Sequence, residues 1–95
     1  VGVAYGTDID KVMEVLMGTA LAHPKVRDEP EPRVRFRTFG NSSLDFELLC
    51  WIQEPAERGL VHHELNCRIY KRFGEAGISI PFPQQDVYIK EMPAG

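Results

Sequence analysis

The sequence is short of most features that announce chemistry. Its 95 residues hold only two cysteines, Cys50 and Cys67, spaced 17 positions apart and in no CxxC pattern. They read as reduced thiols in a cytosolic setting, since a redox pair would need Cα atoms within about 7 Å. No apolar run approaches the roughly 20 residues of a membrane helix. No signal-peptide pattern is visible, and the start at Val1 points to a piece of a longer protein. An excess of one charge is also missing: 11 basic and 14 acidic residues give a net charge of −3. That leaves no electrostatic footprint for nucleic acid or an anionic membrane. Glycine-rich phosphate loops, internal repeats, heptads and low-complexity tracts are absent.

What remains is an ordinary globular composition, 43% hydrophobic and 26% charged. A chain of this length buries about two-thirds of its unfolded surface, enough for one modest core. "VGVAYG" alternates Val1, Val3 and Tyr5 with small residues, a strand with one bulky and one very small face. In the next segment Ile9, Val12, Met13, Leu16, Ala20 and Leu21 recur at helical spacing. Thr7 or Asp8 is positioned to cap this helix, and Pro24 stops it near His23.

"RVRFRTFGNSSLDFELLCWI" reads as a hairpin turning at Gly40–Ser43. Phe36 shares a face with Phe46 or Leu48 only if paired residue numbers sum to an even value, which calls for an odd loop of three or five residues, such as a turn with a bulge. That register sets Arg35 and Arg37 across from Glu47 and Asp45, so the arginine row is neutralised within the sheet. Leu49 and Trp51 fall on the same polar face. They form either a contact patch or the seat of an overlying chain segment. A second helix starts near Pro55 or Glu57, carries Val61, Leu65, Ile69 and Phe73 at intervals of four, and ends at Gly77. "ISIPFP" is then a short strand with Ile78, Ile80 and Phe82 on one face, and "DVYIKEM" a last one. The order β-α-β-β-α-β predicts an α+β ferredoxin-like sandwich, two helices on one face of an antiparallel sheet, plus one extra C-terminal strand.

Candidate catalytic and metal groups are weak. His62 and His63 are adjacent in a helix and point about 100° apart, which does not suit one metal ion. Asp8/Asp10, Glu29/Glu31 and Asp45/Glu47 are carboxylate pairs with no nucleophile beside them. No enzyme activity, metal or cofactor is expected.

The informative segment is "GISIPFPQQDVYIK". Residues i and i+2 of a strand direct their N–H groups to the same side, and Pro81 and Pro83 both lack that donor. One edge of the segment therefore cannot complete a ladder, and the chain leaves the sheet at about Pro83. The strand containing Val87, Tyr88 and Ile89 is then unpartnered. It either folds back on its own sheet or pairs with copies from neighbouring chains, where closure into a ring hides every edge.

"VGVAYGTDIDKVMEVL", "FGNSSLDFELLCWI" and, most specifically, "AGISIPFPQQDVYIK" resemble the C-terminal cytoplasmic domain of the small-conductance mechanosensitive channel (MscS) family. The resemblance implies a homoheptameric inner-membrane channel as parent, with this module forming a wall of a cytoplasmic cage. It implies that residues 1–85 form the ferredoxin-like unit, and that residues 86–95 hold the tail and the strand of a small parallel barrel. Ions and small solutes would reach the pore between the chains. The alternative is a stand-alone βαββαβ regulatory module that binds a small metabolite. An acylphosphatase-type enzyme would need an anion-cradling loop that the sequence does not offer.

Overall fold

The computed structural model describes residues 1–81. Strand β1 is Gly2–Val3, helix α1 Ile9–Ala22, strand β2 Arg33–Phe39, strand β3 Leu44–Leu49 and helix α2 Arg58–Ala76, the last preceded by a 3-10 turn at Pro55–Glu57. The sheet is antiparallel in the order β1-β3-β2. Both helices lie on one of its faces, giving the expected α+β sandwich. Among the described residues no helix is long and apolar enough to cross a membrane.

Local chemistry explains three of the four helix boundaries. Asp8 caps α1 by accepting the N–H groups of Asp10 and Lys11 on Oδ1. Proline at position 24 bars continuation past His23, the C-cap. Helix α2 ends at Gly77, whose φ of 74° is the left-handed conformation that costs a side chain and costs glycine little.

Among the described residues two clusters make up the core. Val3, Val12, Leu16, Leu44, Phe46, Ile69, Phe73 and Ile78 form the main one. Val26, Val61 and Leu65 form a second, with Cys50 and Ile52 packed against it. The stripe Val61, Leu65, Ile69 and Phe73 is buried along its whole length and so spans both. In α1 the buried stripe is narrower than its apolar residues suggest: Val12, Leu16 and Ala20 are buried, while Ile9 and Leu21 are exposed. The first strand is also narrower, with Val3 buried and Val1 and Tyr5 exposed beyond its ends.

The hairpin has the predicted parity, reached by a different route. Arg33↔Leu49, Val34↔Leu48, Arg35↔Glu47 and Phe36↔Phe46 are paired, all with even sums. Closer to the turn Thr38 pairs with Asp45 and Phe39 with Leu44, which have odd sums. The connection is therefore the even loop Gly40–Ser43, closed by Gly40 N–H donating to the Ser43 carbonyl at 2.6 Å. A bulge between Phe36 and Thr38 supplies the missing residue. This corrects the expected odd loop and the pairing of Arg37 with Asp45. Arg37 sits in the bulge instead, with its guanidinium 3.9 Å from the Glu47 carboxylate. Phe36 still stacks on Phe46, with ring centres 5.1 Å apart.

The expected fourth strand is reduced, among the described residues, to an edge contact. Residues 77–81 form no ladder, but Ala4 N–H donates to the Ser79 carbonyl at 2.9 Å, on the side of β1 away from β3.

Candidate assembly edge

Among the described residues, the candidate Pro81 ends the short segment that follows α2 and touches the edge of β1. Gly77 turns the backbone out of α2, and the Ile78 N–H returns to the Phe73 carbonyl at 2.8 Å. Ile78 is buried beneath α2, whereas Ile80 is 44% exposed because the helix has already ended. Between them, Tyr70, Lys71, Phe73, Gly74, Ile78 and Ile80 line an open groove of about 320 Å³. Tyr70 stands 72% exposed at its rim.

Ser79 turns its carbonyl toward β1. In extended backbone Pro81 shares that orientation, so its missing N–H is missing on the β1 side. Two residues after the Ser79 contact, Pro81 has no N–H to donate. Pro81 itself is partly buried. Pro83, Val87, Tyr88 and Ile89 lie outside the described residues.

The other sequence candidates are placed elsewhere. Leu49 is 42% exposed at the end of β3, opposite Arg33. Trp51 is partly buried, and the Arg33 guanidinium lies 5.6 Å from its ring centre, within cation–π range. The Arg27 N–H donates to the Trp51 carbonyl at 2.8 Å, which anchors the loop after α1 beside it. The patch is thus split, with Trp51 covered by a cation and Leu49 open. It lies on the outer face of the hairpin, separate from the groove at Ile80.

The titratable groups are dispersed. His62 and His63 are both exposed on α2, and His63 Nε2 lies 3.7 Å from the Cys67 sulfur one turn on. Among the described residues no group of three or more His, Cys, Asp and Glu side chains is placed to hold a metal. Both cysteines are free, and burial pushes the Cys50 thiol above its ordinary pKa. Lys25 on the surface is raised by its hydrogen bond to Glu57.

One polar contact escaped the sequence reading. His23, only 2% exposed, puts Nε2 2.8 Å from Glu64 Oε1 and accepts the Lys25 N–H on Nδ1 at 3.0 Å. A trace of it is legible in hindsight. His23 continues the buried stripe of Leu16 and Ala20 by three residues, while Glu64 adjoins Leu65 in α2. Nothing in either segment names the other as partner.

A family model described as "Mechanosensitive ion channel MscS, C-terminal" matches residues 1–80. The chain is 40% identical over 95 residues to an uncharacterized MscS family protein of Haemophilus influenzae, covering all of this chain and 9% of that protein. It is 43% identical over 88 residues to mechanosensitive channel MscK of Escherichia coli, covering 93% of this chain and 8% of the relative. With the large-conductance mechanosensitive channel MscMJLR of Methanocaldococcus jannaschii the identity is 32% over 98 aligned positions, covering 95% of this chain and 27% of the relative. The chain thus spans less than a third of the length of each. Sheet order, helix placement and the family match agree: this chain belongs to the mechanosensitive ion channel MscS family, in which it corresponds to the C-terminal domain.

Proposed function

We propose that this domain is an assembly module of a mechanosensitive channel that acts as an osmotic release valve, and that it does no chemistry of its own. The observation that carries the reading is the donor pattern at the β1 edge. Ser79 accepts from Ala4, and Pro81 then denies the ladder its next donor. The segment beyond is free to find its partner in other copies of the chain.

In this reading residues 1–85 form a wall segment of a cage on the cytoplasmic side of a plasma membrane. Asp86 to about Met92 contributes one strand per chain to a parallel barrel in a homoheptamer. Val87, Tyr88 and Ile89 are the interface residues, and Pro81 and Pro83 set the point of release. Ions and small solutes pass through the parent channel. Support comes from the names of the relatives, two of which are called mechanosensitive channels, and from the donor pattern described above.

The full-length protein that carries this domain is the material to test. Expressed in cells stripped of their own mechanosensitive channels, it is expected to rescue survival of hypo-osmotic shock and to give tension-gated currents in membrane patches. Expression at the membrane without either response would overturn the reading.

A further inference from the structure

The groups around His23 form a device that the assembly reading does not use. The ring is buried at the junction of α1, α2 and the strap Pro24–Arg27. Its Nδ1 accepts an amide N–H, so the neutral ring carries its proton on Nε2 and donates it to Glu64. Both nitrogens are engaged, each by a different element. The strap in turn holds two amide bonds: Val26 N–H to the His23 carbonyl at 3.2 Å and Arg27 N–H to the Trp51 carbonyl at 2.8 Å. Its Val26 pairs with Ile52 and sits in the second core cluster.

A second proton has one place to go, Nδ1, and there it meets the Lys25 N–H, donor against donor. The contact with Glu64 has no such conflict, since Nε2–H continues to donate and the carboxylate gains a cation. The two ends of the ring therefore respond in opposite directions. The charged and titratable groups around it fit that division. On α2 the group is Glu64, and the last turn of α1 carries no charged residue. On the strap, Lys25 is paired with Glu57 of the 3-10 turn, and the Arg27 side chain donates to the Glu29 carbonyl at 3.1 Å. The segment facing the strap adds the half-buried Cys50 thiol and Glu54.

We propose that His23 is a proton-operated latch: on acidification it keeps its hold on Glu64 and releases the Lys25 amide, opening the strap Pro24–Arg27 while the two helices stay clipped together. The opened strap lifts Val26 away from Ile52 and Val61 and so uncovers the apolar floor of the cleft that they line with Lys25 and Glu57.

Hydrogen exchange followed by mass spectrometry on the full-length protein tests this, with rates corrected for the intrinsic pH dependence of exchange. Peptides covering Lys25–Arg27 are expected to lose protection as the pH is lowered. Below the midpoint the loss approaches about tenfold per pH unit, as for a one-proton linkage. Peptides from the middle of α2 are expected to hold theirs. His23→Asn keeps an acceptor for the Lys25 N–H and cannot titrate, so the strap should stay protected throughout. Should that variant fail to fold, Glu64→Gln provides the second arm. It removes the carboxylate that favours the added proton, and the transition should move to lower pH. Unchanged strap protection in the native protein would overturn the latch. So would the same loss in His23→Asn, or a transition that Glu64→Gln leaves in place.

Discussion

The Ala4 N–H donates to the Ser79 carbonyl at 2.9 Å, and two residues later Pro81 has no N–H to give. If the backbone stays extended from Ser79 to Pro81, the absent donor would face β1. Replacing Pro81 with alanine restores it. Pro81→Ala is expected to lengthen the ladder, with the amide at position 81 becoming protected from hydrogen exchange. The gain is about 0.5–1.5 kcal/mol, the net worth of one hydrogen bond. An amide at that position that exchanges as freely as an open loop would show that the donor is not what stops the strand.

The bulge at Arg37 makes a sharper test of register. Deleting Arg37 removes the extra residue and leaves Thr38 next to Phe36 in one continuous even ladder, so every inward side chain keeps its face. The expected loss is under about 1 kcal/mol, since the residue is exposed and its ion pair is long. Deleting Arg35 instead carries either Val34 or Phe36 to the outer face. That costs about 1.5–3 kcal/mol if the displaced side chain loses its burial. Urea denaturation of the two deletions should rank them in that order.

Phe73 is 1% exposed in the main cluster and closes the end of α2 onto Ile78. Phe73→Ala is expected to cost about 3–5 kcal/mol, by lost transfer energy and the cavity left behind. Gly77→Ala, one turn later, forces a side chain into a φ of 74° and should cost about 1 kcal/mol. Equal losses from the two changes in chemical denaturation would contradict this ranking.

The two thiols should separate by pH. Burial favours the neutral form of Cys50 and raises its pKa, so its thiolate fraction at a given pH is smaller than that of an ordinary thiol. Alkylation of Cys50 is therefore expected to be slower than that of the exposed Cys67, and its rate should keep rising to higher pH. Peptide mapping after timed treatment with iodoacetamide reads both sites at once. Faster labelling of Cys50 would show that the site opens readily to solvent.

Much of this architecture is legible from local patterns, because local patterns dictate it. Asp8, Pro24 and Gly77 act on their own backbones, and each ends or starts a helix where it was expected to. The stripe Val61–Phe73 and the even parity of the hairpin follow from helical and strand periodicity, which survive packing. What the residues did not disclose depends on contacts between distant segments. The bulge at Arg37 and the four-residue turn are one of two ways to satisfy the same parity, and parity cannot tell them apart. Ile9 and Leu21, at the two ends of α1, stay exposed although they are apolar. The partnership of His23 and Glu64 joins residues 41 positions apart and is made by the packing of two helices. At the candidate assembly edge the missing donor of Pro81 is visible in the sequence, but the neighbouring contact with β1 appears only through the bond from Ala4 to Ser79.

The central claim is that the chain exports its last strand to pair with other copies of itself. The direct measurement is the mass of the purified full-length protein carrying Val87→Asp and Ile89→Asp, by light scattering in detergent beside the unmodified protein. The account predicts a stable ring for the native protein, and smaller or heterogeneous species once two charges stand where apolar side chains would face the barrel. An unchanged oligomer of the same mass and stability would contradict it.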